Sequence, residues 1–239
     1  MNDIAIVTGA GSGVGQAVTI ELAKRGCSVA LLGRHERTLE ETISLAKPPA
    51  GARLVAYPCD IADEKLVTAM AERVRRELGD PTVLVNSAGI NVARRSLAEL
   101  SVEDFQNVLA VDLTGAFLSV HAFLPGMRKL GRGTIINVIS DAGLHANPIS
   151  GAAYTAAKFG LSGLTETINV EERAHGIRAC AIYPGEINTP LLDKRPVPPP
   201  PEARAKMLQA EDVAAAVMFA IDMPDRALVE KLVIRPRVK

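Results

Sequence analysis

The chain alternates short, unbroken apolar runs with longer stretches of helical spacing along its whole length. Residues 4–8 form the first run, which stops at Gly9. Val14, Val18 and Leu22 then recur at helical intervals until Gly26, predicting a helix over 14–25. The same reading gives further strands at 27–32, 53–57, 82–85, 133–139, 177–183 and 228–234. Between them it gives helices over 36–46, 101–129, 152–175 and 212–221, and one from Asp63, as N-cap, to Gly79. Strands that are apolar on both faces belong in a parallel sheet covered by helices on both sides. Right-handed crossovers then give an α/β fold with one doubly wound parallel sheet. A length of 239 residues suits a single domain, 1–239, with one large core.

The turn between the first strand and the first helix reads Thr8-Gly9-Ala10-Gly11-Ser12-Gly13-Val14-Gly15. Glycine lets the backbone turn tightly and approach a phosphate closely. The helix start behind it offers free N–H groups and the positive end of a dipole. The spacing is GxxxGxG, not the GxGxxG of the Rossmann fingerprint. Its place at the first strand-to-helix turn nevertheless favours a Rossmann-fold dinucleotide site over a merely structural turn. Gly9, Gly11, Ser12, Gly13, Val14 and Gly15 are then the expected pyrophosphate cradle. After the second strand, Gly33 stands where an NAD-preferring site carries an acid, and Arg34 follows it. A guanidinium suits a 2′-phosphate, so the pair points to NADP(H), with NAD(H) possible and a solvated surface arginine as the alternative.

Tyr154 and Lys158 open the helix over 152–175, and residues four apart share one helical face. A nearby cation favours phenolate and makes a tyrosine a usable general acid/base. YxxxK alone is common, but here it stands in a series. Thr8-Gly9, Asn86-Ser87-Ala88-Gly89, Ser140 followed by Gly143, Tyr154 and Lys158, and Pro184-Gly185 leading to Thr189 occur in one order at consistent spacings. The chain resembles the short-chain dehydrogenase/reductase family, in its type of roughly 250 residues, over essentially its whole length.

The resemblance implies hydride transfer between NADP(H) or NAD(H) and a small-molecule carbonyl or alcohol. It implies that Tyr154 exchanges a proton with the substrate oxygen and that Lys158 holds the nicotinamide ribose and lowers the Tyr154 pKa. Ser140 would hydrogen-bond the substrate oxygen as charge develops. Asn86, Ala88 and Gly89 would line the adenine ribose and steady the sheet, with Asp60 and the Ile61 backbone beside the adenine. Pro184, Gly185, Ile187 and Thr189 would cradle the nicotinamide. Asp112, in Val111-Asp112-Leu113-Thr114-Gly115, stands where the family usually has an asparagine of the catalytic tetrad. Its carboxylate would add negative charge near Lys158. Family members pair through their two long helices, which implies a homodimer or homotetramer.

Several classes are disfavoured. Lys plus Arg, 27, equals Asp plus Glu, 27, and aromatics make up 3% of the chain, so neither a basic field nor a stacking surface invites nucleic acid. Cys27, Cys59 and Cys180 are odd in number and widely spaced, which argues against disulfides and a metal site and for reduced thiols in the cytoplasm. Met1-Asn2-Asp3 lacks a basic leader, and no apolar stretch is expected to approach the ~20 residues that span a bilayer. Substrate contacts are expected from residues 91–95, 141–149 and a loop over about 186–210 that contains the proline run 196–201. Arg94, Arg95 and His145 are candidates there for a polar or anionic group. A catalytically silent NADP(H)-binding sensor or structural protein on the same fold remains the alternative.

Overall fold

The computed structural model describes residues 3–237; Met1 and Asn2, read above for a leader, lie outside the described residues. One parallel sheet holds β1 (Ile4–Thr8), β2 (Ser28–Gly33), β3 (Leu54–Pro58), β4 (Val83–Asn86), β5 (Gly133–Val138), β6 (Ile177–Pro184) and β7 (Lys231–Ile234). Their order is β3-β2-β1-β4-β5-β6-β7, with every neighbouring pair parallel. The helices are α1 (Gly13–Lys24), α2 (Glu36–Ala46), α3 (Glu64–Glu77), α4 (Val102–Leu109), α5 (Gly115–Leu130), α6 (Ala152–Glu172), α7 (Pro201–Arg204) and α8 (Ala210–Ile221). The doubly wound sheet expected from the alternation is the one observed.

Both faces of the central strands are dry, which explains their unbroken apolar sequences. Ala5 and Val7 of β1, Val29 and Leu31 of β2, and Val83 and Val85 of β4 pack on one side with Val18 of α1 and Val213 and Val217 of α8. The alternate residues Ile6, Ala30, Leu32 and Leu84 face the other side and meet Val74 of α3, Phe123 of α5 and Ile168 of α6. This is the two-residue period of a strand with both faces apolar.

Local chemistry sets the helix ends. Asp63 caps α3, its carboxylate accepting from Lys65 N at 2.8 Å and Leu66 N at 3.1 Å. The last helix begins before Asp212, because Gln209 is its N-cap and Asp212, at the third helical position, accepts from Gln209 N at 2.8 Å. The strand expected over 228–234 is shorter and begins at Lys231.

The long helix expected over 101–129 is interrupted. A π turn, Ala110–Thr114, separates α4 from α5 and contains Asp112. A π bulge inserts one residue into the helical ladder and is frequent at functional sites. Val102–Leu130 also corrects the expectation that no apolar stretch approaches spanning length, since by length and composition it could cross a bilayer. Here Val108, Val120, Phe123 and Met127 are buried in the core, where the apolar residues of this helix are used.

The glycine turn is fixed by packing. A Cβ on Gly15 would lie 2.3 Å from the Gly9 carbonyl oxygen, and one on Gly11 would lie 2.3 Å from Thr38 Oγ1. Gly15 meets rigid backbone, so Gly15→Ala must displace the turn. The expected loss is about 1–3 kcal/mol of stability, together with weaker nucleotide binding. A urea denaturation midpoint equal to that of the wild type would show that the close contact at Gly15 is not a constraint.

Candidate active site

The strand order reverses between β1 and β4, and loops leave the carboxyl ends of these strands in opposite directions. Such a switch point opens a crevice in a doubly wound sheet. Thr8, the last residue of β1, holds the β4 loop in place: its Oγ1 accepts from Ser87 N and Ala88 N, each at 3.1 Å. A cleft of about 470 Å3 opens there, within the ordinary range of small-molecule sites.

The cleft gathers most of the residues singled out in the sequence. From the glycine turn come Gly9, Ser12, Gly13 and Val14; from β4, Ala88 and Gly89; from β5 and α6, Ser140, Tyr154 and Lys158; from β6, Pro184, Gly185, Ile187 and Thr189. Gly9 and Gly13 have positive φ, +67° and +52°, a conformation that side chains resist. A Cβ on Gly13 would lie 3.2 Å from Thr189 Cγ2. The Ser12 side chain makes no cap to α1, which leaves the first-turn N–H groups available to an anion. This cradle fits a dinucleotide diphosphate.

Other expected residues lie outside the cleft. Gly11 and Gly15 shape the turn from behind, as described above. Asn86 is buried and donates through Nδ2 to Asn137 Oδ1 at 2.9 Å; Asn137 in turn donates to Thr165 Oγ1 at 2.8 Å. It therefore ties β4 to β5 and α6. Gly33 ends β2, and Arg34 after it is exposed and makes no ion pair or hydrogen bond among the described residues. Asp60 Oδ1 accepts from Ala62 N at 3.0 Å, and the buried Ile61 side chain packs where a Cβ on Gly115 would stand, 2.7 Å away.

Ser140, Tyr154, Lys158 and Asp112 form one connected group. Ser140 sits just past β5 at φ +150° and ψ +160°, a strained conformation for a residue with a side chain. Its Oγ accepts from Ala142 N at 3.2 Å and contacts Asp141 Oδ1 at 3.3 Å. Lys158 Nζ lies 5.2 Å from the Tyr154 ring centroid. Behind it, in the π turn, Asp112 Oδ2 faces Nζ at 3.3 Å as an ion pair without a directed hydrogen bond, and Oδ1 accepts from Ile90 N at 2.7 Å. The side chains of Lys158 and Asp112 are 3% and 0% exposed, so their charges act in a dry medium.

Burial and charge pull these groups in opposite directions. Burial raises the Tyr154 pKa most strongly; Lys158 and the Ser140 hydrogen bond pull it down, and Asp112 pushes it up. The sequence pointed to a net lowering by Lys158. That pull is present, but desolvation outweighs it. Burial alone would lower the Lys158 pKa, yet Asp112 and Tyr154 hold it above its ordinary value. Burial raises the Asp112 carboxyl against the pull of Lys158 and the Ile90 N–H. The pair titrates as one coupled unit.

The substrate side of the cleft is formed by Asn91, Arg95, Asp141, Asn147, Ile149 and Ser150, with residues 186–195 opposite. Of the three basic candidates, only Arg95 turns inward; Arg94 and His145 are exposed and outside the cleft. The proline run also lies outside it. The loop is pinned at its neck, where Leu208 N donates to Glu186 O at 3.0 Å and Asn188 N to Leu208 O at 2.8 Å. Arg195, not singled out by the sequence reading, lines the cleft as well. Its only signal was its place in the expected loop.

Comparisons with known proteins bear on the family and the fold. The family model described as short chain dehydrogenase matches residues 3–200. The chain is 33% identical over 221 residues to D-beta-hydroxybutyrate dehydrogenase of Rhizobium meliloti (strain 1021), covering 92% of this chain and 83% of the relative. It is 38% identical over 230 residues to 2-(R)-hydroxypropyl-CoM dehydrogenase of Xanthobacter autotrophicus, covering 92% and 91%. Among solved structures, it superposes with a TM-score of 0.89 on an alcohol dehydrogenase from the archaeon Thermococcus sibiricus complexed with 5-hydroxy-NADP. That match is 27% identical and covers 100% of this chain and 98% of the other.

Proposed function

The chain belongs to the short-chain dehydrogenase family, and from that premise we propose that Ser140, Tyr154 and Lys158 carry the proton transfer that accompanies its hydride transfer, with NADP(H) preferred over NAD(H). Membership makes it an NAD(P)-dependent oxidoreductase acting on alcohol or carbonyl groups. The observation that carries the mechanism is the meeting of these three side chains in one cleft with the uncapped start of α1.

When bound, the nicotinamide supplies or accepts the hydride. The Tyr154 hydroxyl gives a proton to the substrate oxygen in reduction and takes it in oxidation. Ser140 Oγ donates to the same oxygen as its charge grows. Lys158 favours the phenolate and holds the ribose hydroxyls, with Asp112 fixing its charge from behind. Gly9, Ser12, Gly13 and Val14 hold the diphosphate on a turn that Gly11 and Gly15 allow. Ala88, Gly89, Asp60 and Ile61 serve the adenosine, and Pro184, Gly185, Ile187 and Thr189 the nicotinamide. All of this belongs to one domain, 1–239, whose loop over about 186–210 covers a small-molecule alcohol or carbonyl. The names of two relatives, for hydroxybutyrate and hydroxypropyl substrates, support a secondary alcohol. The free cysteines support a reducing, cytoplasmic setting.

The NADP(H) reading rests on Gly33 and the unpaired Arg34 at the end of β2, and a structural neighbour carries an NADP derivative. Fluorescence titration with NADPH and NADH tests it. NADPH is expected to bind more tightly, and Arg34→Ala to weaken NADPH about 10–100-fold, the worth of a charge-assisted hydrogen bond, while sparing NADH. Equal binding of the two nucleotides by the wild type would make Arg34 a surface residue.

A homodimer or homotetramer is proposed through α5 and α6. Phe117 of α5 and Phe159 and Val170 of α6 are 46%, 45% and 83% exposed, apolar side chains that a partner copy would cover. Sedimentation at micromolar concentration should give two or four times the chain mass. A single-chain species would overturn the assignment.

A further inference from the structure

The substrate side of the cleft carries two guanidiniums, of which Arg195 has a carboxylate partner, Glu186, and Arg95 has none among the described residues. Arg95 is only 7% exposed. Its Nε donates to Val92 O at 2.7 Å, Nη1 to Ile149 O at 3.0 Å and Nη2 to Lys194 O at 2.8 Å. These partners are neutral carbonyls, and among the described residues no carboxylate forms an ion pair with it. Burial and then the like charge of Arg195, the next residue after Lys194, hold its pKa below the ordinary value. Arg195 has a side chain 18% exposed and donates to Glu186 Oε1 at 2.8 Å, but the Glu186 side chain is itself 49% exposed. Asp141, the other acid on the cleft wall, lies beside Ser140 and is not among the charges acting on Arg95.

A buried cation without a counterion is costly, and two adjacent cations more so. A substrate that fills the cleft and excludes solvent from it would have to compensate the charge. A guanidinium has five N–H donors, so the forks of both residues retain donors beyond those bonds. Arg95 and Arg195 line the same cleft as Ser140 and Tyr154. The counterion would thus belong to the same small molecule as the reacting carbon.

We propose that the substrate is a hydroxy or oxo carboxylate: a secondary alcohol or ketone whose carboxylate is held by Arg95 and Arg195. The assignment rests on the oxidoreductase reading above and names its substrate class. Arg95 also joins three loops, and its replacement would mix folding with binding, so the test uses Arg195.

The enzyme–NADPH complex is titrated with butyrate and butyramide, and with cyclohexanecarboxylate and cyclohexanecarboxamide, following nicotinamide fluorescence. Each carboxylate is expected to bind at least about tenfold more tightly than its amide, since a charge-assisted bond exceeds a neutral one. Arg195→Ala should remove most of that ratio, and Arg195→Lys should retain part of it. Equal binding of acid and amide, failure of either acid to bind, or a ratio that survives in Arg195→Ala would overturn the proposal and leave the oxidoreductase reading standing. If NADPH itself does not bind, the oxidoreductase reading falls and this proposal falls with it.

Discussion

Tyr154→Phe should lower turnover of the best ketone or alcohol by at least about 10³-fold while the protein still folds and binds NADPH. The size follows from losing the hydroxyl proposed to exchange the proton with the substrate oxygen, a contribution of about 10²–10⁴-fold for a positioned acid/base. Phenylalanine keeps the ring, so Lys158, 5.2 Å from the Tyr154 ring centroid, keeps its aromatic neighbour. Ser140 Oγ keeps its bond from Ala142 N at 3.2 Å. Stability should therefore change by no more than about 1 kcal/mol, the worth of one hydrogen bond. Turnover, thermal unfolding and NADPH titration measured on one preparation separate lost chemistry from lost structure. A variant retaining a tenth of the wild-type rate with unchanged pH dependence would mean that another group moves the proton, and the assignment of Tyr154 would be wrong.

The same residue shows where sequence reading stops. Tyr154 and Lys158 lie one helical turn apart, so their shared face follows from spacing alone. The direction of the Tyr154 pKa shift does not, because the desolvation that outweighs Lys158 comes from residues scattered along the chain. The central strands were readable because each is apolar on both faces, and most helices because a cap or a glycine marks their ends. The π turn was not, since it is held by tertiary partners: Asp112 bonded to Ile90 N and facing Lys158. Arg94 and Arg95 are equivalent as neighbours in sequence; only the three carbonyls of Val92, Ile149 and Lys194 determine that Arg95 turns inward. The glycines divide in the same way. All fit the motif, but Gly15 and Gly11 answer to contacts with Gly9 and Thr38, and Gly9 and Gly13 line the cleft.

Asp112→Asn is expected to shift the pH–rate profile toward acid. The carboxylate raises the pKa of Lys158 and also that of Tyr154. An amide removes the charge from both. With Tyr154 as the proposed base, alcohol oxidation needs its phenolate, so the rate should rise with pH as the hydroxyl ionises. With Tyr154 easier to ionise, that rise should occur at lower pH. Lys158, left with the desolvation that lowers its pKa, should also lose its proton sooner, bringing the alkaline fall to lower pH. Both limbs therefore move the same way, whereas a purely structural loss would reduce the rate at every pH and leave the limbs in place. Stability should fall as well, because one amide oxygen cannot both accept from Ile90 N, now at 2.7 Å, and face Lys158 Nζ. Asp112→Leu strands the buried ammonium entirely and should cost about 3–5 kcal/mol, as removal of one partner of a buried pair does. The kcat/KM profile of Asp112→Asn for alcohol oxidation, set beside urea unfolding of both variants, tests the two effects separately. Unmoved limbs would restrict Asp112 to holding the π turn, and a Leu variant as stable as the wild type would mean that Lys158 is neutral in the fold.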